Sequence, residues 1–413
     1  MTHPAFTLNQ AAVIGAGTMG RGIVMSLANA GIPVLWLDSN PQVLDQGLTL
    51  VAQTNAQQVQ RGRISEQEAA ARLARVTPVA DYAALAGVDL LIEAVYENLE
   101  LKQRIFRELD AVLKPSAILA SNTSALDIDA IAAVTARPEQ VLGLHFFSPA
   151  HIMKLLEIVR GARTAPAVLD AALALGERVG KVAVVAGNCH GFIGNRMLHT
   201  YVREARMLLL EGALPQQVDA VLQTFGFAMG PFRMYDVVGI DLEWRARELA
   251  GRGQDDVAVQ MDNRLCGLGR FGQKVGLGYY RYAEGSREAL HDPAVDALVL
   301  QVAEQLGFAR RVITDEEILE RCLLALVNEG AKILAEGIAR SSADIDLVYL
   351  NGYGFPMDQG GPMSWADGQG LGSILDRLCT LQARFGEHWR PAPLIERLVA
   401  DGKRFADMQE DRV

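Results

Sequence analysis

The chain has little cysteine and no excess of basic residues, and each shortage excludes a class of protein. Its four cysteines are scattered, with no CxxC motif and no histidine cluster at ligand spacing. We therefore expect free thiols in a reducing compartment, no disulfide framework and no metal site. The net charge of −10 argues against nucleic acid and anionic membranes as partners.

Long apolar runs are also missing. No run approaches the length of a membrane span, and residues 1–10 lack the basic and apolar regions of a signal peptide. The cytoplasm is therefore the expected location. With 413 residues, half of them hydrophobic, the chain is expected to form two or three globular domains.

A glycine-rich motif follows the first predicted strand. Residues 11–14 are apolar, and GAGTMG at 15–20 comes next, at the start of a predicted helix. Gly15 allows the tight turn, Gly17 lets a pyrophosphate approach the backbone, and Gly20 lets the helix pack on the strand. The pattern predicts dinucleotide binding, with a purely structural glycine turn as the alternative.

An acidic residue identifies the preferred dinucleotide. Asp38 follows the second predicted strand, 34–37, about 20 positions beyond the glycines. A carboxylate there suits the ribose hydroxyls of NAD and would repel the 2′-phosphate of NADP. Ser39 and Asn40 offer no compensating arginine. The sequence therefore favours NAD.

The next segment, 41–75, predicts two helices. They are broken near Gly62, and the second is restarted by Ser65 as an N-cap, with Glu68 three residues on. The segment carries four arginines, for which a solvated helix face is favoured over a phosphate-binding patch. They are Arg61, Arg63, Arg72 and Arg75.

Strands and helices alternate through residue 187. This alternation predicts a Rossmann-type, doubly wound α/β domain with a few antiparallel strands at one edge. The later predicted strands are 89–95, 118–120, 141–147, 155–159 and 182–185, and the later helices are 99–113 and 166–180.

Polar residues follow two of these strands at their carboxyl ends, where ligands bind in an open parallel sheet. YEN at 96–98 follows strand 89–95, and SNTS at 121–124 follows strand 118–120. The SNTS residues are interpreted either as helix caps or as hydroxyls that face a substrate.

Two apolar runs, 141–147 and 155–159, are joined by a turn that contains Pro149. If the runs pair as an antiparallel hairpin, His145 and Glu157 lie opposite each other on one face. A carboxylate that fixes the tautomer of a histidine and stabilises its imidazolium makes that histidine a suitable proton acceptor. On these two residues alone, a structural ion pair is the favoured interpretation.

Past residue 187 the apolar residues recur at the spacing of a helix. The sequence of this part also repeats at a shift of 125 residues. A long helix is predicted over 191–211, and 269–280 is predicted to be a loop or small hairpin. The second copy has Glu320 where the first has Asn195, which indicates a packing partner and not a second active site. After small insertions, FGF at 225–227 matches YGF at 353–355.

The predicted architecture is therefore a Rossmann-type domain with a mostly parallel sheet, followed by two tandem all-α domains. The predicted boundaries are 1–187, 188–290 and 291–413.

The chain resembles the L-3-hydroxyacyl-CoA dehydrogenases of fatty-acid β-oxidation over nearly its whole length. The resemblance rests on GAGTMG, EAVYEN, SNTSAL, HFFSPAHIMKLLEIV, GFIGNRML and GRFGQKVGLGYY. The second helical copy resembles the dehydrogenase half of the multifunctional β-oxidation enzymes. Because the dinucleotide motif starts near residue 15, we expect no enoyl-CoA hydratase domain before it. The resemblance implies an NAD-dependent oxidoreductase that converts an L-3-hydroxyacyl-CoA to the 3-ketoacyl-CoA.

The resemblance also implies roles for particular residues. His145 matches the catalytic base and Glu157 its carboxylate partner. Ser124 and Asn195 match residues that hydrogen-bond the reacting oxygen or the cofactor beside it, in a cleft between domains. Ser148 stands at the nicotinamide side, where many members have the longer asparagine. NAD contacts are implied at Met19, Asp38, Val95, Tyr96, Glu97, Lys102 and Ser124.

Members of this family bind CoA partly through the helical insertion after the second strand. The resemblance therefore adds support for a phosphate-binding role of the four arginines. Tandem helical copies imply a monomer, because single-domain members dimerise through that surface. Two rival classes are a dehydrogenase of a small hydroxy acid without CoA, and a non-catalytic relative like those of the lens. The retained His145, Glu157, Ser124 and Asn195 speak against the second.

Overall fold

A computed structural model describes residues 7–251 and 253–408. The N-terminal segment on which the absence of a signal peptide depends lies partly outside these residues, at 1–6. The described chain forms two compact units, and the division into three domains stays a prediction. The first unit comprises 7–195 with 333–353, and the second comprises 196–251, 253–332 and 354–408.

The first unit is built on a sheet of eight strands among the described residues. They are β1 (Ala11–Ile14), β2 (Val34–Leu37), β3 (Val76–Pro78), β4 (Leu90–Glu93), β5 (Ile118–Ser121), β6 (Val141–Phe146), β7 (Leu155–Arg160) and β8 (Val182–Gly187). Their order is β3-β2-β1-β4-β5-β6-β7-β8. Among the neighbouring strands of this sheet in the described residues, only β6 and β7 pair antiparallel. The predicted doubly wound sheet with antiparallel strands at one edge is confirmed.

One strand of this sheet was not predicted. β3 has three residues and lies at the sheet edge, beside β2. Pro78 ends it, and an edge position tolerates proline because no further strand needs its N–H group. So short a strand leaves no periodic signal in the sequence.

The α-helices surround this sheet or form the second unit. They are α1 (Thr18–Asn29), α2 (Pro41–Gln60), α3 (Glu66–Ala74), α4 (Leu99–Val112), α5 (Ile128–Ala132), α6 (Pro166–Arg178), α7 (Gly194–Glu211), α8 (Pro215–Phe225), α9 (Pro231–Val238), α10 (Asp241–Ala250), α11 (Gln260–Gly267), α12 (Pro293–Gln305), α13 (Asp315–Ala335), α14 (Ser342–Gly352), α15 (Pro362–Gln369), α16 (Leu371–Phe385) and α17 (Pro393–Ala400).

Local sequence signals place several helix ends correctly. The break predicted near Gly62 separates α2 from α3, and Gly62 has a φ of 65°. The side chain of Ser65 accepts a hydrogen bond from the Glu68 backbone N–H at 3.0 Å, as predicted for an N-cap. A side-chain cap also begins α4, where Asn98 accepts from the Leu101 N–H at 2.8 Å.

The long helix predicted over 191–211 is shorter than expected, because α7 begins at Gly194. Phe192 has a φ of 52°, in the left-handed region that a right-handed helix excludes. The apolar pattern continues through residues 192–193, so periodicity alone extends the helix too far. The prediction was wrong for the three residues before α7.

Reciprocal contacts join the two helical copies within the second unit. Arg196 of α7 pairs with Glu329 of α13 at 2.7 Å, and Arg321 of α13 pairs with Glu204 of α7 at 2.8 Å. A shift of 125 residues interchanges these two ion pairs, as a two-fold relation between the copies requires. The monomer expected from tandem copies stays a prediction.

The predicted loop or small hairpin at 269–280 is confirmed. Isolated antiparallel bridges join Gly272 to Leu277 and Leu277 to Arg281. The carboxylate of Asp236 accepts hydrogen bonds from the N–H groups of Tyr279 and Tyr280, at 2.8 and 2.9 Å. A buried side chain therefore anchors this glycine-rich segment.

The described residues lack two features, a membrane-spanning helix and a metal-binding cluster. Within the described ranges, no helix is both long and apolar enough to cross a membrane. The same residues contain no group of three or more His, Cys, Asp or Glu side chains that could hold a metal ion.

Candidate functional site

The glycine motif lies where β1 meets α1, at the carboxyl edge of the sheet. Gly15 has a φ of 106°, and a Cβ there would lie 2.5 Å from the carbonyl oxygen of Ala94. A Cβ on Gly20 would lie 1.9 Å from the carbonyl oxygen of Gly15, whereas the same position on Gly17 is open. Gly17 is the N-cap of α1, and no side chain there accepts a hydrogen bond from the first N–H groups of the helix. These N–H groups therefore suit a phosphate.

Neighbouring side chains hold this turn in place. Trp36, fully buried in β2, donates from Nε1 to the carbonyl oxygen of Gly15 at 2.9 Å. Asp38 accepts from the Ala16 N–H at 2.7 Å through Oδ2 and from the Asn40 N–H at 2.8 Å through Oδ1. The carboxylate predicted to bind ribose therefore also orders the phosphate-facing turn.

An open pocket of about 590 Å³ lies beside Asp38. Leu44, Val79 and Tyr82 supply apolar surface suited to a flat ring, and the lining contains no arginine or lysine. A 2′-phosphate would find no cationic partner there. The pocket and the glycine cradle together fit NAD.

The predicted hairpin brings His145 and Glu157 together. The two residues are direct partners in the β6–β7 register, and His145 Nδ1 lies 2.8 Å from Glu157 Oε2. His145 is 6% exposed and Glu157 is fully buried. Because a carboxylate only accepts hydrogen bonds, Nδ1 carries the proton, and Nε2 is the basic nitrogen. The predicted pairing is confirmed.

Glu157 also binds the start of α7 through its second oxygen. Its Oε1 accepts from the backbone N–H groups of Ile193 and Gly194, at 3.2 and 3.0 Å. The left-handed Phe192 precedes them, and its buried ring meets the His145 ring edge-on, with centroids 5.8 Å apart. One carboxylate therefore fixes the histidine ring and the first turn of the helix that carries Asn195.

Asn195 lies in the first unit, beside the SNTS segment. Its Nδ2 donates to the backbone oxygen of Ser124 at 3.4 Å. Ser124 in turn donates from its N–H and its hydroxyl to Glu97 Oε1, at 2.9 and 3.2 Å. Three of the residues predicted from the resemblance are thus joined, and Glu97 holds Ser124 instead of only facing solvent.

Lys102 is buried, whereas a side chain that contacts a cofactor directly is expected to be exposed in the site. Its side chain is 1% exposed, and its ammonium lies 2.7 Å from Glu93 Oε1 and 3.4 Å from Glu97 Oε2. Ser121 donates to the other Glu93 oxygen at 2.7 Å. Glu93 therefore joins the ends of β4 and β5, and Lys102 pairs with it from α4. A direct contact of Lys102 with NAD stays a prediction. Sequence reasoning missed Glu93, although an acid inside the buried strand 89–95 needs a partner.

The remaining predicted NAD contacts vary in exposure. Met19, in the first turn of α1, and Val95, after β4, are half-buried. Tyr96 is 87% exposed, and Ser148 is exposed in the turn after β6. These four side chains belong to the same edge of the sheet, and their contacts with NAD stay predictions.

The four arginines of the helical insertion divide into two pairs. Arg72 contacts Glu68 at 2.8 Å, and Arg75 donates to the Ala28 carbonyl oxygen at 3.2 Å. Arg61 and Arg63 are exposed, between α2 and α3. Of the four arginines, Arg61 and Arg63 are therefore the two that are available as a cationic patch.

Family models match most of the chain. The model of the 3-hydroxyacyl-CoA dehydrogenase NAD-binding domain matches residues 10–189. The model of the 3-hydroxyacyl-CoA dehydrogenase C-terminal domain matches twice, at 191–282 and 318–407. The second match bears out the repeat, since each helical copy is recognised separately.

Individual proteins are similar over the same range. A peroxisomal bifunctional enzyme of Danio rerio is 46% identical over 411 residues, covering 96% of this chain and 56% of the relative. The human enzyme of the same name is 43% identical, covering 91% of this chain and 54% of the relative. The chain thus spans about half the length of these relatives. These relatives are named as peroxisomal enzymes, and the cytoplasmic location expected for this chain stays a prediction.

Solved structures share the fold. The 3-hydroxybutyryl-CoA dehydrogenase of Escherichia coli K12 superposes with a TM-score of 0.82 at 29% identity, covering 96% of this chain and 99% of that one. The dehydrogenase part of multifunctional enzyme 1 from C. elegans gives a TM-score of 0.70 at 28% identity, covering 95% and 90%.

Proposed function

This chain belongs to the 3-hydroxyacyl-CoA dehydrogenase family, and we propose that it catalyses the NAD-dependent oxidation of L-3-hydroxyacyl-CoA to 3-ketoacyl-CoA. The observation that carries the proposal is the buried His145–Glu157 pair, at 2.8 Å, in the domain that has the NAD-binding motif. A structural ion pair needs no neighbouring cofactor cradle, whereas a base that assists hydride transfer to NAD does.

His145 acts as the general base in this proposal. Its Nε2 takes the proton of the C3 hydroxyl, while the C3–H bond breaks and the C–O bond becomes a carbonyl. The hydride that leaves C3 would be taken up by NAD bound at the turn of residues 15–20 and at Asp38. A neutral imidazole suits this proton transfer, and a positioned base contributes about 10²- to 10⁴-fold in rate, or roughly 3–5 kcal/mol.

Glu157 keeps the base effective. Its Oε2 holds the proton on His145 Nδ1, which leaves Nε2 as acceptor and stabilises the imidazolium that forms. Its Oε1 is held by the Ile193 and Gly194 N–H groups, so the carboxylate cannot turn away. The charge that faces the imidazolium is therefore fixed before the substrate arrives.

Ser124 and Asn195 position the substrate oxygen. Both side chains carry donors, and the Asn195 amide lies close enough to bind the Ser124 backbone at 3.4 Å. This weak contact can give way to a substrate oxygen at little cost. We assign the two side chains to the hydrogen bonds that aim the hydroxyl at His145.

The CoA part of the substrate is proposed to meet the helical insertion. Arg61 and Arg63 are exposed there, and guanidinium groups suit the phosphates of CoA. Arg72 and Arg75 are committed to Glu68 and Ala28 and are not assigned this role.

Asp38→Asn should weaken NAD binding by about 10- to 100-fold, because hydrogen bonds to a charged carboxylate contribute roughly 1.5–3 kcal/mol. The change also removes the charge that repels a 2′-phosphate, so the preference for NAD over NADP should fall. Titration of both cofactors measures the two effects. Asp45→Asn, at the same pocket, is the matched control, and an equal loss there would show that the effect is not specific to Asp38.

The substrate class is tested with a panel of L-3-hydroxyacyl-CoAs of graded chain length and the corresponding free acids. We expect NADH formation from the thioesters and little from the acids. Turnover of the free acids alone would favour a small hydroxy-acid dehydrogenase. No NADH from any member would favour a non-catalytic relative.

A further inference from the structure

The second helical copy contributes a side chain to the site through Tyr353. This residue directly follows α14, which belongs to the first compact unit. Its hydroxyl donates to Asn195 Oδ1 at 2.8 Å, a shorter hydrogen bond than the 3.4 Å one from Asn195 Nδ2 to Ser124. Asn195 is therefore held from two sides, by a phenol at its oxygen and by the Ser124 backbone at its nitrogen.

Several contacts hold the Tyr353 ring in place. It stacks on Tyr349, with centroids 4.9 Å apart and planes at 22°. It meets Phe147 edge-on at 5.6 Å, and Phe147 in turn lies 4.3 Å from the His145 ring. A Cβ on Gly194 would lie 2.4 Å from the tyrosine ring, so only glycine permits this approach. The hydroxyl is thus delivered to Asn195 by a packed ring.

The phenol determines which way the amide faces. Burial and the nearby charge of Glu157 raise the pKa of Tyr353 well above its usual value, so the group stays a protonated donor. A donor at this distance binds the amide oxygen, and the Asn195 Nδ2 then faces the opposite side. Without the phenol, the side chain could rotate by 180° and present its oxygen.

The repeat supplies independent support. The position that matches Tyr353 in the first copy is Phe225, and the position that matches Asn195 in the second copy is Glu320. Glu320 pairs with Arg377 at 2.5 Å instead. The ring that faces Asn195 therefore carries a hydroxyl, in Tyr353, and the matching ring, Phe225, does not. The glycine and phenylalanine that follow are the same in both copies.

We propose that Tyr353, a residue of the second helical copy, is a positioning residue that holds the Asn195 amide with Nδ2 available to the substrate oxygen. The inference rests on the proposed function, because it assigns the orientation of a group that acts on that substrate. It also gives the second copy a part in catalysis beyond packing.

The test compares four forms of the full chain: wild type, Tyr353→Phe, Asn195→Ala and the double variant. Tyr353→Phe keeps the ring and removes only the hydroxyl, as in Phe225. We expect kcat with an L-3-hydroxyacyl-CoA to fall about tenfold, the effect of losing one hydrogen bond, with the Kd for NADH and the melting temperature unchanged. In the Asn195→Ala background the same change should have no further effect.

Tyr349→Phe is the matched control, because that hydroxyl donates to the Gly194 backbone oxygen at 3.3 Å. We expect it to keep wild-type kcat. Wild-type kcat in Tyr353→Phe, or equal losses with and without Asn195, would overturn the inference. If wild type itself forms no NADH from any thioester, the proposed function fails first and the inference with it.

Discussion

His145→Gln should lower kcat by about 10²- to 10⁴-fold, because glutamine keeps a hydrogen bond to Glu157 but cannot accept the hydroxyl proton. The NAD cradle lies at β1 and β2, so the Kd for NADH should stay nearly unchanged. Initial rates of NADH formation and a fluorescence titration with NADH measure the two quantities.

The matched control is His151→Gln, in the turn that joins β6 to β7. This side chain lies in the same hairpin but is not paired with Glu157. We expect it to keep wild-type rates. If His145→Gln turned over rapidly, the imidazole would not be the base, and the pair with Glu157 would be structural.

Glu157→Gln should lower kcat by up to about 10⁴-fold with the fold intact, the loss that a wrong histidine tautomer causes in a Ser-His-Asp triad. The Ile193 and Gly194 N–H groups require an acceptor, so the new amide oxygen stays with them. The NH₂ group then faces His145 Nδ1, which must become an acceptor. The proton moves to Nε2, which can no longer act as base.

The pH dependence of this variant separates a tautomer effect from a change in basicity. Raising the pH does not restore a base that has its proton on the wrong nitrogen, so the loss should persist across the alkaline range. Glu139→Gln, an exposed carboxylate just before β6, is the control and should behave as wild type. An unfolded Glu157→Gln protein, judged by circular dichroism, would mean that the pair serves stability.

Sequence reasoning reached the site because its central contact depends on strand register. Two apolar runs and a proline turn are enough to place His145 opposite Glu157, since pairing in a hairpin is set by position along the chain. The glycine cradle is equally local, because three glycines and an acid at fixed spacing describe a turn and the strand beside it. Alternation of strands and helices predicted the doubly wound class of the sheet, but it predicted neither the order of the strands nor the short strand β3.

The contacts that sequence reasoning missed are those set by tertiary packing. The burial of Lys102 against Glu93 depends on how α4 lies over β4, and charge in a sequence does not reveal it. Tyr353 lies 158 positions from Asn195, and only the repeat, with its change from Phe225, carried a signal. The left-handed Phe192 is invisible to periodicity because its side chain is apolar.

The proposed mechanism can be tested with a crystal structure of the full chain bound to NADH and an L-3-hydroxyacyl-CoA, which are both reduced and therefore form an unreactive complex. We expect the C3 hydroxyl oxygen within about 3.2 Å of both His145 Nε2, to which it donates, and Asn195 Nδ2, from which it accepts. A bound thioester whose C3 oxygen lies beyond hydrogen-bond reach of that imidazole would contradict it.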